Sequence, residues 1–286
     1  LSAKFYGTEK KKITISSKEQ LDQIVKELEG ASYRVADVKK GERIKKAPLP
    51  FTTSTLQQEA SKALNFATSK TMRIAQQLYE GIDIKGNGTV GLITYLRTDS
   101  TRISEEADEN VRNYIEEQYG KQYVAVGEAK TGTDKKIQDA HEAIRPTDPA
   151  RTPAAMKESL TRDQFRLYQL IWKRFLASRM KPARYETTSV KIAAGDYRFT
   201  VSASKVAFDG FRMIYTEAGE EKEESNVLAK SLDKDSVLQY ESFDSKQHFT
   251  QPPAHYTEAA LVKTLEELGI GRPSTYAPTI STIIAR

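Results

Sequence analysis

Apolar residues at helical spacing dominate the middle of the chain. Leu56, Ala60 and Leu64 repeat every three to four residues, and Ile74 and Leu78 repeat in the same way after a short break. This spacing places the apolar side chains of each segment on one helical face. The pattern predicts two helices joined by a turn.

Further helices are predicted from their ends as well as from their spacing. Ser17 can cap an N-terminal helix that stops at Gly30, and Ser104 can cap another that stops at Gly120. The apolar stretch 160–180 predicts a third helix, which Lys181-Pro182 ends, and the segment from about residue 252 is also helical in pattern.

Strand-like runs lie mainly towards the two ends of the chain. The predicted strands are 12–15, 33–44, 89–96, 187–193, 197–204, 211–215 and 237–243. Because strand-rich segments flank a helical block, we predict an α+β multidomain fold. A discontinuous β-rich domain (1–47 and 183–251) would carry an inserted helical domain (48–182), and residues 252–286 would begin a truncated helical domain.

Composition and charge exclude several classes of protein. The 286 residues carry a net charge of +5 and no cysteine, so disulfides and cysteine-ligated zinc are excluded. No apolar run reaches the roughly 18 residues of a membrane span. The chain starts without methionine and stops within an apolar pattern, so we expect a middle piece of a longer protein. The acidic residues are predicted to form a solvated hairpin tip: Glu217, Glu220, Glu221, Glu223 and Glu224.

The residues with the clearest chemical potential lie in the predicted strand 89–96 and directly after it. Tyr95 and Arg97 are two positions apart, so on a strand their side chains would share one face. A phenol is a weak nucleophile at neutral pH, and a nearby guanidinium can stabilise both phenolate character and a phosphate oxygen. The pair therefore suits phosphoryl transfer. The alternative is simple packing, with residues 99–101 as a turn and helix cap.

Four stretches together resemble one family. YLRTDST at 95–101 resembles the active-site tyrosine motif of bacterial type IA DNA topoisomerases. HEAIRPT at 141–147 and GIGRPSTYA at 269–277 resemble later motifs of the family in the same order, and PFTTSTLQ at 50–57 resembles the start of its tyrosine-bearing domain. The resemblance spans nearly the whole chain and implies a β-rich arch that carries the tyrosine domain. One departure is His255, where the family leads us to expect arginine.

The resemblance implies an ATP-independent isomerase that relaxes negatively supercoiled DNA. Tyr95 would cleave one strand as a 5′-phosphotyrosine, a second strand would pass, and the free 3′-hydroxyl would reseal the break. Arg97 would hold the scissile phosphate, and His141 would contact the phosphate or relay a proton. Arg145 would bind DNA or brace its loop, and the remaining predicted phosphate donors are Arg272, Ser274 and Thr275.

The resemblance also implies a further domain of the whole protein, its partner and its location. A Toprim domain that precedes this region in the family would bind Mg²⁺, so we expect no metal on this chain and no activity from it alone. We expect single-stranded segments of DNA as its partner, a monomer, no membrane contact, and a location in the bacterial cytoplasm at the nucleoid.

Four other classes of protein share single features with this chain. Topoisomerase III, a decatenase, has proline directly after the tyrosine, where this chain has Leu96. A tyrosine recombinase would need a His-x-x-Arg element, which residues 141–145 do not match. A rolling-circle nuclease would need paired histidines. The non-enzymatic alternative is a helix-turn-helix module at 55–80, for which Lys62, Lys70 and Arg73 are the available cations. Gly269-Ile270-Gly271 lacks the third glycine of a dinucleotide loop.

Overall fold

A computed structural model gives the fold of residues 1–126, 141–219, 229 and 231–286. In chain order its strands and α-helices are β1 (Lys4–Thr8), α1 (Lys18–Leu28), β2 (Tyr33–Lys45), α2 (Thr53–Leu64), α3 (Thr68–Glu80), β3 (Ile82–Ile84), β4 (Gly88–Val90), α4 (Glu105–Tyr119), α5 (Pro153–Met156), α6 (Arg162–Ala177), β5 (Ala183–Ala194), β6 (Tyr197–Phe208), β7 (Val237–Leu238), α7 (Glu258–Glu267) and α8 (Tyr276–Ile284). The contacts within the chain define two compact units. Unit 1 comprises 1–44, 184–208 and 221–252, and unit 2 comprises 45–183, 209–220 and 253–286.

Unit 1 is built on a five-stranded sheet with the order β1-β6-β5-β2-β7. β5 and β6 form an antiparallel hairpin whose turn at Gly195-Asp196 confirms the predicted one. Apolar residues alternate along both strands, so one face of the sheet is buried. The core on that face includes Val190, Phe199 and Val201, which pack in one cluster with Ile24 and Leu28 of α1.

The ends of α1 follow the sequence prediction. Ser17 accepts a hydrogen bond from the backbone N–H of Gln20 at 3.2 Å, and the Gln20 side chain accepts one from the N–H of Ser16 at 2.9 Å. Gly30 follows the helix with a φ of +76°, a left-handed conformation that favours glycine. The capping residues therefore fix where this helix begins and ends.

Unit 2 is a helical assembly centred on α2. This helix packs against α3, α6 and α7, while α3 also packs against α6 and α8. Leu56 of α2, Leu78 of α3 and Leu176 of α6 are fully buried. The helix pair predicted from residues 55–80 is confirmed, with Asn65 in the left-handed conformation at the end of α2. Helices α4 and α6 confirm the predictions based on Ser104 and on the apolar stretch 160–180.

Four strand predictions were wrong in whole or in part. Residues 12–15 form no strand and make one bridge at Lys12, because the edge of the sheet is taken by β1, which pairs with β6. Residues 211–215 begin as a 3₁₀ helix, and of 237–243 only Val237–Leu238 is a strand. Of 89–96, only the first two residues are in a strand. The rest is irregular because its backbone bonds to separate segments of unit 2.

The structure confirms a mixed fold of helices and an antiparallel sheet. The contact units place 209–220 and 253–286 with the helical block. The predicted boundaries of the three domains, 1–47 with 183–251, 48–182, and 252–286, stay predictions. Of the acidic run, residues 220–224 lie outside the described part of the chain. Glu217 is described and pairs with Arg174 Nη1 at 2.6 Å, so it is not simply solvated.

Candidate active site

Tyr95 lies in an irregular segment, residues 91–102, and the strand from which its side-chain direction was predicted does not exist here. Burial nevertheless alternates along the segment. Leu96, Thr98 and Ser100 are buried, Arg97 and Asp99 are exposed, and Tyr95 is half-buried. Tertiary contacts, and not a strand, produce this alternation. That Tyr95 and Arg97 share one face stays a prediction.

The first residues of α2 anchor one side of this segment. The hydroxyl of Thr53 donates to the carbonyl oxygen of Leu96 at 2.7 Å and accepts from the N–H of Thr98 at 2.8 Å, and the N–H of Thr53 donates to the carbonyl oxygen of Thr98 at 2.9 Å. Thr53 is fully buried. Bonds of this kind satisfy backbone groups that an irregular buried segment would leave unpaired.

Residues 143–147 anchor the same segment through the residue before the tyrosine. The hydroxyl of Thr94 donates to the carbonyl oxygen of Ala143 at 2.7 Å and accepts from the N–H of Arg145 at 3.0 Å. The N–H of Thr94 donates to the carbonyl oxygen of Arg145 at 2.9 Å. The motifs at 95–101 and 141–147, which are separate in sequence, are thus hydrogen-bonded neighbours.

Two aromatic rings contact the ring of Tyr95. The centroid of the His141 ring lies 5.4 Å from that of Tyr95 with an interplanar angle of 33°. The centroid of the Tyr79 ring lies 5.5 Å away at 66°, an edge-on arrangement. Both distances are in the range of favourable ring pairs. The structure therefore brings His141 to Tyr95, and it adds Tyr79, which sequence reasoning missed because nothing in the pattern of α3 marks its last turn.

Arg145 braces its own loop. Its Nε donates to Glu142 Oε2 at 2.8 Å, its Nη2 lies 2.7 Å from the same oxygen, and its Nη1 donates to the carbonyl oxygen of Pro146 at 3.1 Å. The side chain is 13% exposed. Of the two alternatives left open by the sequence, bracing has direct structural support, and DNA contact by Arg145 stays a prediction.

The third motif lies between α7 and α8. Arg272, Ser274 and Thr275 are exposed, while Tyr276 is buried. The Arg272 guanidinium donates to the carbonyl oxygen of Gly271 at 2.7 Å, and Thr275 Oγ1 accepts from the N–H of Arg272 at 2.8 Å. The motif thus forms a compact turn with its polar side chains at the surface.

Tyr276 is a buried residue of this motif. Burial raises the pKa of Tyr276, the Glu266 carboxylate raises it further, and the Arg272 guanidinium partly opposes the rise. Tyr276 stays a neutral phenol at physiological pH, which suits a buried side chain.

Metal binding finds no support among these residues. Within 1–126, 141–219, 229 and 231–286, no three His, Cys, Asp or Glu side chains gather where they could hold a metal ion. The expectation that this chain holds no metal stays a prediction. Binding of Mg²⁺ by a Toprim domain stays a prediction.

Across the same residues, no helix combines the length and apolarity needed to cross a membrane.

One of the three cations available to the helix-turn-helix alternative is already paired within the protein. Lys70 Nζ lies 2.7 Å from Asp163 Oδ2 and 4.3 Å from the centroid of the Phe66 ring. One of its three cations is therefore engaged within the protein. The buried face of α2 also supports the tyrosine segment through Thr53, a role that DNA recognition by this helix pair does not explain.

Comparison with known proteins agrees with this assembly of motifs. The model of the family described as DNA topoisomerase matches residues 2–286, so the chain belongs to that family, in its bacterial type IA branch. The structure is similar to full-length topoisomerase I from Thermotoga maritima, determined in a monoclinic crystal form. Sequence identity is 40%, the TM-score is 0.80, and the match covers 98% of this chain and 44% of that one. The chain thus spans less than half the length of that enzyme.

Proposed function

We propose that this chain carries the nucleophile of an enzyme that relaxes negatively supercoiled DNA by cutting and resealing one strand. The observation that carries the proposal is the position of Tyr95, half-buried in a segment anchored by Thr53 and Thr94 and in contact with the His141 ring. Such anchoring suits a nucleophile, because attack requires a fixed geometry.

The proposed reaction exchanges one phosphodiester for another. The Tyr95 oxygen loses its proton and forms a bond to the scissile phosphorus, while the bond from phosphorus to the 3′-oxygen breaks. The leaving 3′-oxygen takes up a proton, and the 5′-phosphate stays on Tyr95. Resealing is the reverse, in which the 3′-hydroxyl attacks phosphorus and the phenol leaves. The number of ester bonds is conserved, so ATP is not consumed.

Arg97 and His141 have complementary roles in this proposal. Arg97 is exposed two residues after the tyrosine, where its guanidinium can pair with two oxygens of the scissile phosphate. That pairing offsets the charge that develops in the transition state. His141 is exposed beside the Tyr95 ring, where an imidazole can donate to a phosphate oxygen or pass on a proton.

The turn at 269–277 is the proposed approach of the single strand. Arg272, Ser274 and Thr275 are exposed at this turn, where a guanidinium and hydroxyl groups can meet the phosphates of a strand. Phosphate contacts of this kind position a strand without reading its sequence. The route therefore predicts binding to single-stranded segments with little dependence on base sequence.

The remaining parts of the proposal concern the whole protein. Mg²⁺ bound by a Toprim domain, passage of a second strand, a monomeric state and a cytoplasmic location at the nucleoid all rest on membership of the family. The fragment alone is proposed to be inactive, because Tyr95 would lack the opposing half of its site. Relaxation of supercoiled DNA by purified residues 1–286 would refute that part.

The decisive experiment traps the covalent adduct in the full-length parent. End-labelled single-stranded DNA is incubated with Mg²⁺, the reaction is stopped with denaturant, and the DNA-linked peptide is mapped. We expect a 5′-phosphate on Tyr95, and we expect the Tyr95→Phe variant to bind DNA without forming an adduct. A 3′-linkage, or cleavage by Tyr95→Phe, would overturn the proposal.

A further inference from the structure

Tyr79 occupies an unusual place for a residue outside the recognised motifs. It is the penultimate residue of α3, and its ring meets that of Tyr95 edge-on, with 5.5 Å between the centroids. The residue is 39% exposed, so its ring is not part of the buried core of unit 2. Packing of the core does not explain why an exposed aromatic ring contacts the proposed nucleophile.

The backbone around Tyr79 is also tied to the tyrosine segment. The carbonyl oxygen of Leu78 accepts a hydrogen bond from the N–H of Leu92 at 2.8 Å. A Cβ atom on Gly91 would lie 2.8 Å from the carbonyl oxygen of Tyr79, closer than such contacts normally come. Gly91 therefore lets the segment that leads to Tyr95 pass directly against the end of α3. The ring contact of Tyr79 is built on a fixed backbone relationship.

We propose that Tyr79 is a positioning residue, which sets the direction of the Tyr95 side chain for attack on the scissile phosphate. The inference rests on the proposed role of Tyr95 as nucleophile. A tyrosine side chain turns about two torsions, and only some of its orientations aim the phenol oxygen at phosphorus. An edge-on neighbour limits those torsions, since its ring occupies part of the space into which the Tyr95 ring could turn.

The proposal assigns the effect to the Tyr79 ring and not to its hydroxyl. The contact with Tyr95 is between two rings, so phenylalanine at position 79 keeps it and an aliphatic residue loses it. Because the ring is substantially exposed, its loss leaves the core intact. Function and stability can therefore be separated at this position, which is not possible at a buried residue such as Leu78.

The test uses the full-length parent with Mg²⁺ and saturating end-labelled single-stranded DNA, and measures the single-turnover rate of cleavage. Tyr79→Leu is expected to lower this rate roughly three- to tenfold, the factor that corresponds to one ring pair. DNA affinity and the unfolding midpoint should stay unchanged, and Tyr79→Phe should restore the rate. Tyr119→Leu, which removes a tyrosine ring from the end of another helix, α4, is the control and should cleave normally.

The outcomes separate this inference from the proposed function. If the adduct maps to Tyr95 but Tyr79→Leu cleaves at the normal rate, positioning by Tyr79 is wrong and the proposed function stands. The positioning role is also wrong if Tyr79→Phe is as slow as Tyr79→Leu, or if the slower rate comes with weaker DNA binding. If Tyr95→Phe still cleaves, the proposed function fails first.

Discussion

Thr53 and Thr98 exchange hydrogen bonds in both directions, although 45 residues separate them in the chain. The N–H of Thr53 donates to the carbonyl oxygen of Thr98 at 2.9 Å, and the N–H of Thr98 donates to the hydroxyl of Thr53 at 2.8 Å. The first residue of α2 thus acts as a backbone partner for the segment that carries Tyr95. The bonds to the carbonyl oxygen of Leu96 and from the N–H of Thr98 need the Thr53 hydroxyl, because a methyl group of the same size can neither donate nor accept.

The first prediction tests this anchor with Thr53→Val in the full-length protein. The substitution keeps the volume but leaves buried backbone groups of Leu96 and Thr98 without a partner, at a cost of about 1–3 kcal/mol. We expect a lower unfolding midpoint and slower DNA cleavage. Thr282→Val, on the exposed side of α8, is the control and should change neither. Equal stability of the two variants would show that the anchor is dispensable.

The second prediction separates two roles of His141. His141→Phe keeps a ring beside Tyr95 but removes both ring nitrogens, whereas His141→Ala removes ring and nitrogens together. If the imidazole moves a proton or binds phosphate, both variants should cleave DNA at least about 100-fold more slowly. Near-normal cleavage by His141→Phe alongside slow cleavage by His141→Ala would assign His141 to packing. Single-turnover cleavage at saturating DNA is the measurement.

The third prediction decides between the two roles of Arg145. Its guanidinium is held by Glu142 and by the carbonyl oxygen of Pro146, so Arg145→Ala should lower the unfolding midpoint. The dependence of DNA affinity on salt should not change, because no phosphate contact is lost. A phosphate contact would reduce the salt slope by about 0.7 for single-stranded DNA. That reduction, measured by titration at several salt concentrations, would assign Arg145 to DNA binding.

The fourth prediction concerns alkaline stability and rests on Tyr168 and Tyr215. Burial raises the pKa of both phenols, and Tyr168 also donates to the carbonyl oxygen of Arg151 at 2.6 Å. In the unfolded chain a tyrosine phenol has a pKa of about 10. Above that pH the unfolded chain releases these protons while the folded chain retains them. Stability is therefore full below about pH 10 and falls as the pH rises above it.

The measurement is the unfolding midpoint between neutral pH and strongly alkaline pH. Tyr168→Phe should flatten the alkaline decline, since one of the protons that resist release is removed. Tyr240→Phe is the control, because Tyr240 is 48% exposed and lies outside the buried core. A decline of the same steepness in Tyr168→Phe as in the unaltered protein would contradict the assignment.

The helices were largely predictable from sequence because local signals define them. Ser17, Ser104 and Thr161 cap helices α1, α4 and α6 with their own side chains. Apolar spacing then fixes the buried face of each helix. Edge strands were less predictable, since β1 and β7 exist only through their pairing with β6 and β2. A strand needs a partner that its own sequence does not specify.

The candidate site shows the same division. The order of its motifs was evident in the sequence, and it was sufficient to indicate the family that the comparisons then established. The contact of His141 and Tyr79 with Tyr95 was not evident. A strand was predicted to place Tyr95 and Arg97 on one face, but the segment is irregular, and Arg97 is exposed between Leu96 and Thr98, which are bound to Thr53.

The sequence by itself determined helices α1 to α4 and α6, the caps of α1 and α4, and the turn between β5 and β6. It also supplied the candidate site residues. These features depend on neighbours within a few positions along the chain. Only the tertiary structure decided that residues 91–102 are irregular, that Arg145 braces its loop and that Tyr79 meets Tyr95. Those features depend on hydrogen bonds and ring contacts between distant segments, and such contacts form only when the helices of unit 2 pack together.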